Sequence, residues 1–173
     1  MAKKSAEIRA TRHLTLGLVL ATLASASFAN ETVFRAMAKD THIPIDEIRQ
    51  HRKTGCESAV QFHMNICSLY AYYETDIRLN TTYQKLQRRL SDSAEKESLK
   101  NAQRAWIAFR DANCKFQTTA WSGGSFRPTA NAFCLKGMTE ERERYLAGAL
   151  QCTEPQCPVL SESEVTPNSS ATK

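Results

Sequence analysis

Residues 66–90, ICSLYAYYETDIRLNTTYQKLQRRL, and residues 99–120, LKNAQRAWIAFRDANCKFQTTA, decide the fold between them. In the first run Ile66, Tyr70, Tyr73, Ile77, Asn80, Tyr83, Leu86 and Leu90 recur every three or four residues, which places them on one face of a helix. In the second, Leu99, Ala102, Trp106, Phe109, Asn113, Phe116 and Ala120 recur in the same way. Ser91-Asp92-Ser93 breaks the pattern between them. So short a link cannot span a helix length, so the two helices are predicted to pack antiparallel. Ser58 is the expected N-cap of the first helix and Ser91 or Ser93 that of the second, where Glu95 and Glu97 suit the positive end of the helix dipole.

Working outward, a last helix is expected from Thr139, its cap, to Leu150, with Tyr145, Leu146, Ala149 and Leu150 facing inward. Residues 30–55 read as a helical extension. Val33, Phe34 and Met37 share one helical face, Asp40-Thr41 and Pro44 interrupt it, and a short helix capped by Asp46 ends at Gly55. The expected fold is therefore all-α, a small disulfide-braced helical hairpin or bundle of about four helices. Residues 153–173 are rich in Ser, Thr, Pro and Glu and cannot bury enough apolar surface to order themselves, so a disordered tail is expected there.

The first 29 residues read as a cleaved export signal. Lys3, Lys4, Arg9 and Arg12 precede the apolar run Leu14–Leu23, and small residues lead to cleavage after Ala29. The apolar run is too short to span a bilayer, and no cysteine follows it for lipidation. The expected product has no membrane anchor and resides in the periplasm or is secreted. Residues 1–29 hold four of the 23 Lys+Arg and one of the 18 Asp+Glu, so the remainder carries 19 against 17, a net of +2. So faint a basic excess gives no reason to expect nucleic-acid binding.

All six cysteines follow residue 29, and an even count in an exported chain points to disulfides. Their spacings lack the short pairs of a zinc site, so no metal and no cofactor is expected. Cys67 and Cys114 lie almost symmetrically about the Ser91–Ser93 turn, which predicts that they pair across the hairpin and leave Cys56 for Cys134. The rival connectivity, Cys114–Cys134 with Cys56–Cys67, requires that the residues after Ser58 not be helical. A helix from Ser58 would hold Cys56 and Cys67 roughly 13 Å apart at ~1.5 Å per residue, against the ~5.5 Å between the Cα atoms of a bridge. Whether Cys152 and Cys157 pair is left open.

The ordered set of motifs resembles the LprI-like lysozyme-inhibitor domain family. The matching pieces are Cys56 and Cys67, then Asp76, Leu79-Asn80 and Tyr83, then Ala102-Gln103-Arg104-Ala105-Trp106-Ile107 with Arg110-Asp111 and Cys114. Gly123-Gly124-Ser125, Cys134, Thr139, Arg142 and Leu146 complete it, and residues 56–152 are taken as the domain. The resemblance implies an exported binding protein that inhibits lysozyme or a related peptidoglycan hydrolase. Alternatives are a non-inhibitory envelope adaptor and an immunity protein against a wall-degrading toxin.

The residues themselves give Asp76, Asn80, Tyr83, Gln103, Trp106, Arg110 and Asp111 structural roles: Trp106 stacks on Arg110, Arg110 or Arg104 pairs with Asp76, and Gln103 meets Asn80. The Thr118–Ala132 loop is the expected contact for a protein partner. Trp121, Phe126 and Arg127 are anchor types, and Gly123 and Gly124 lend the backbone freedom. Glu74, Asp76 and Asp111 form no catalytic pair, and the scattered histidines accompany no nucleophile, so no enzyme is expected.

Overall fold

The computed structural model describes residues 30–152. The expected signal (1–29), the expected tail (153–173) and Cys157 lie outside the described residues. Five helices make up an all-α architecture, with no strand among the described residues. The chain divides after Gln50 into two compact units.

In the first unit, α1 spans residues 30–41 and α2 (Ile45–Gly55) begins. His42 ends α1 in the left-handed conformation, φ 60°, and its N–H donates to the Ala38 carbonyl at 3.0 Å. The Pro44 carbonyl accepts from Ile48 N to open α2, so Asp46 sits in the first turn and pairs with Arg49 instead of capping. Arg49 also pairs with Glu31, which binds Arg35 as well. These two cations hold the Glu31 carboxyl below its usual pKa. Val33, Met37 and Ile48 are buried.

The second unit is built on α3 (Gln61–Arg89), α4 (Ser93–Gln117) and α5 (Arg127–Gln151). α3 is about 43 Å long at ~1.5 Å per residue. α4 returns antiparallel after the expected turn, but Asp92 caps it, its carboxylate accepting from Ala94 N at 2.6 Å. The cap thus falls on the middle residue of the break, between the expected Ser91 and Ser93, and Asp is as good an N-cap as Ser.

α5 departs most from expectation. It begins twelve residues before Thr139, with Pro128 in its first turn, and Thr139 is buried in mid-helix. Proline is pre-shaped for a first helical turn. α5 runs parallel to α3 and packs most closely against it: Gln61 bonds Thr129, Thr82 bonds Glu143, and Arg89 bonds the Leu150 carbonyl. The core joins Leu79 and Leu86 to Leu146, with Tyr83, Leu99, Trp106, Ala149 and Leu150 against it. Tyr145, expected inside, is exposed.

Ile66, Tyr70, Leu86 and Leu90 are buried as expected, but because α5 is the main partner of α3 other positions on both hairpin faces shift. α3 buries Ile66, Tyr70, Thr75, Leu79 and Leu86, while Asn80 is exposed and donates to Asp76 at 2.9 Å. α4 buries Gln103, Arg110 and Cys114 and turns Phe109 and Phe116 outward. Gln103 accepts from Arg142 Nε at 3.0 Å, so it does not serve Asn80.

The disulfides are Cys56–Cys67 and Cys114–Cys134, with Cα separations of 5.5 and 5.6 Å, which overturns the Cys67–Cys114 and Cys56–Cys134 pairing. Two features of the helices explain it. α3 begins at Gln61, not Ser58, so residues 56–60 fold back over its first turns, with Ser58 N bonding the Gly55 carbonyl and Ser58 Oγ accepting from Val60 N. Gly55 has His63 directly above it: a Cβ there would lie 2.6 Å from the imidazole Cγ. The early start of α5 then places Cys134 inside that helix, level with Cys114 on α4.

Candidate functional site

The α4–α5 connection and the groove behind it form the candidate site. Thr118 ends α4, its N–H and hydroxyl both reaching the Cys114 carbonyl. Three successive turns follow: Ser122 N bonds the Thr119 carbonyl, Gly124 N the Trp121 carbonyl and Arg127 N the Gly124 carbonyl. Gly123 takes φ 80°, which a side chain would strain. Asn65 donates to the Ser125 carbonyl at 3.3 Å and accepts from the Thr129 hydroxyl at 2.6 Å, tying the connection to α3. The expected Thr118–Ala132 loop is thus a stack of turns running into α5, braced by Cys114–Cys134.

Trp121 and Phe126 meet edge to face across this connection, their centroids 5.9 Å apart, and are 44% and 37% exposed. They form an apolar knob at the tip. Behind it lies a groove of about 790 Å³, lined by Leu69, Tyr72 and Tyr73 of α3, by Arg110, Asp111, Lys115 and Thr118, by Gly123 and Gly124, and by Arg127, Pro128, Asn131 and Leu135. Its charges are three cations against one carboxylate. Asp111 is taken by Arg110 at 2.9 Å. Lys115 and Arg127 have no carboxylate partner among the described residues.

Arg110 fixes the inner wall. Its side chain is 6% exposed and joins all three long helices, donating to Asp76 on α3 at 3.1 Å, to Asp111 on α4 and to Thr139 on α5 at 3.2 Å. Its guanidinium lies 5.1 Å from the Trp106 ring centroid and 5.5 Å from that of Tyr72. Burial works against its charge, but Tyr72, Asp111 and Asp76 outweigh it and raise its pKa above the ordinary guanidinium value. Arg142, whose guanidinium lies 5.8 Å from the Trp106 ring centroid, has its pKa lowered by burial.

The expected pairing of Arg110 with Asp76 and its stacking on Trp106 are therefore present. The structure brings Arg110, Asp111, Gly123, Gly124 and Arg127 to one groove, with Trp121 and Phe126 on the knob, and places Asn80, Tyr83 and Gln103 elsewhere. Tyr72, Lys115, Asn131 and Leu135 were not singled out in the sequence. The adjacent Tyr72-Tyr73 pair was the one available signal. Among the described residues no cluster of three His, Cys, Asp or Glu side chains could hold a metal. No helix there is long and apolar enough to cross a membrane.

Residues 54–146 match the family model of the lysozyme inhibitor LprI. The chain belongs to the LprI family. This LprI-family protein is also 33% identical over 118 residues to an uncharacterised protein of Rhizobium meliloti (strain 1021), an overlap of 61% of this chain and 85% of the relative. No solved structure matches it. The match takes in both disulfides, the Arg110 network, the knob and the groove.

Proposed function

We propose that this protein is exported to the periplasm and inhibits a lysozyme or related peptidoglycan hydrolase through the Trp121–Arg127 tip. The observation that carries the proposal is an exposed aromatic pair beside Arg127, which has no carboxylate partner among the described residues, on a connection held by turns and a disulfide. A glycan-cutting cleft offers a long groove with two carboxylates near its centre. Trp121 and Phe126 supply flat apolar faces that stack where a sugar ring would, and Arg127 and Lys115 supply charge of the sign those carboxylates attract. A rigid tip loses little conformational entropy on insertion. A net charge of +2 after removal of residues 1–29 gives no long-range steering toward a basic lysozyme, so recognition is local.

The test is inhibition of a panel of lysozymes and bacterial wall hydrolases by the purified protein, followed by the Trp121→Ala/Arg127→Ala variant. Losing one true anchor costs at least ~2 kcal/mol, about thirtyfold in affinity, so the double variant should lose inhibition with helicity and disulfides intact. A parent protein that neither inhibits nor binds any panel member at micromolar concentration refutes the inhibitor proposal in favour of an envelope adaptor. Full inhibition by the double variant moves the contact away from the tip.

A further inference from the structure

The outward face of α4 is built for contact. Ala102, Ala105, Ala108, Phe109, Ala112 and Phe116 are all exposed, and none carries a charge or a hydrogen-bonding side chain. Phe109 and Phe116 are 61% and 77% exposed, while the opposite face of the same helix buries Gln103 and Arg110. Leu99 and Trp106 pack against the core and Cys114 is buried, so these outward residues are apolar surface beyond what the core uses, and a contiguous exposed apolar patch marks an interaction surface.

The spacing of the stripe indicates what covers it. Residues 102, 105, 109, 112 and 116 alternate by three and four, the seam of a coiled coil, and along it Phe follows Ala. We propose that this face pairs with the same face of a second copy, α4 against α4 in antiparallel fashion. With the twofold axis level with residues 110 and 111, Phe109 of each copy faces Ala112 of the other, and Phe116 faces Ala105. Every large side chain then meets a small one, which lets the backbones approach closely while filling the space between them. A surface that complements itself in this way suits an isologous dimer. It does not suit a hydrolase cleft, whose carboxylates and hydrogen-bonding groups would find no partner here.

The stripe is roughly 21 Å long at ~1.5 Å per residue. One helix face of that length buries on the order of 400–500 Å² per copy, at the low end of specific interfaces, so the dimer is weak and reversible. Sedimentation equilibrium of the purified protein from about 5 to 500 µM should show a monomer–dimer transition in the tens of micromolar. Phe116→Glu should weaken it at least about thirtyfold, because each dimer loses the contact twice. Ala105→Trp should weaken it similarly without adding charge, by filling the space Phe116 enters. Both positions are exposed, so the circular dichroism of each variant should match the parent. A monomer throughout that range, or a dimer that survives both substitutions, overturns the proposal. No hydrolase enters this experiment, so its outcome is independent of inhibition.

Discussion

Replacing Arg110 with alanine removes a side chain that bonds α3, α4 and α5 together. Breaking a buried ion pair by deleting one partner costs about 3–5 kcal/mol, because the other charge is left without compensation. The structure places this site toward the lower end. The Asp76 and Asp111 side chains keep 27% and 55% of their exposure, Asp76 retains Asn80, and Thr139 retains its bond to the Leu135 carbonyl. A loss of about 3 kcal/mol is expected, against about 1–2 kcal/mol for Asp76→Ala, which leaves Arg110 still bonded to Asp111 and Thr139. If the pair is real, the double variant should be less damaged than the sum of the two by at least about 1 kcal/mol. Urea unfolding followed by circular dichroism, with disulfides intact, measures all four states of the cycle. Additivity to within about 0.5 kcal/mol would refute a direct Arg110–Asp76 contact. Arg110→Lys should recover little, since an ammonium cannot reproduce a fork that reaches two carboxylates at once.

Three further outcomes follow from other positions. Gly55→Ala should destabilise by about 1–3 kcal/mol in the same assay, because the new methyl meets His63 beside the Cys56–Cys67 bridge. His42→Gly should stabilise by about 0.5–1 kcal/mol, seen as a higher melting temperature, by relieving the left-handed strain at the end of α1. Glu31 has a folded-state pKa below its unfolded value, so its contribution is present above the ordinary carboxylate range and is lost as pH falls through the depressed value. Carboxyl NMR should show that low midpoint, and Arg49→Ala together with Arg35→Ala should return it to the ordinary range.

The hairpin was legible because two long periodic runs flank a three-residue break, and that pattern admits few alternatives. The face each helix buries was less so. α4 carries two stripes, an apolar one through Phe109 and Phe116 and a mixed one through Gln103, Arg110 and Cys114. Apolar periodicity selects the first, but the second is buried, because Arg110 and Gln103 find their partners on α3 and α5. The start of α5 was hidden by a Gly- and Ser-rich approach that reads as loop, although Pro128 is the residue a first helical turn accepts. The bridges depart from the hairpin symmetry for the same reason: a parallel third helix brings Cys134 to Cys114. The tip residues were picked out by chemical type, but the groove needed three helices in register before Tyr72, Lys115 and Asn131 shared a wall.

Both described bridges join each cysteine to the next one along the chain, across separations of 11 and 20 residues. On the loop-entropy estimate each contributes about 3 kcal/mol, and neither waits for distant segments to meet. A polypeptide emerging N-terminus first therefore presents Cys67 to Cys56 before Cys114 exists as a competitor, and Cys134 to Cys114 after the first pair has closed. Simple oxidation in order of appearance yields both described bridges and leaves a disulfide isomerase nothing to correct in them.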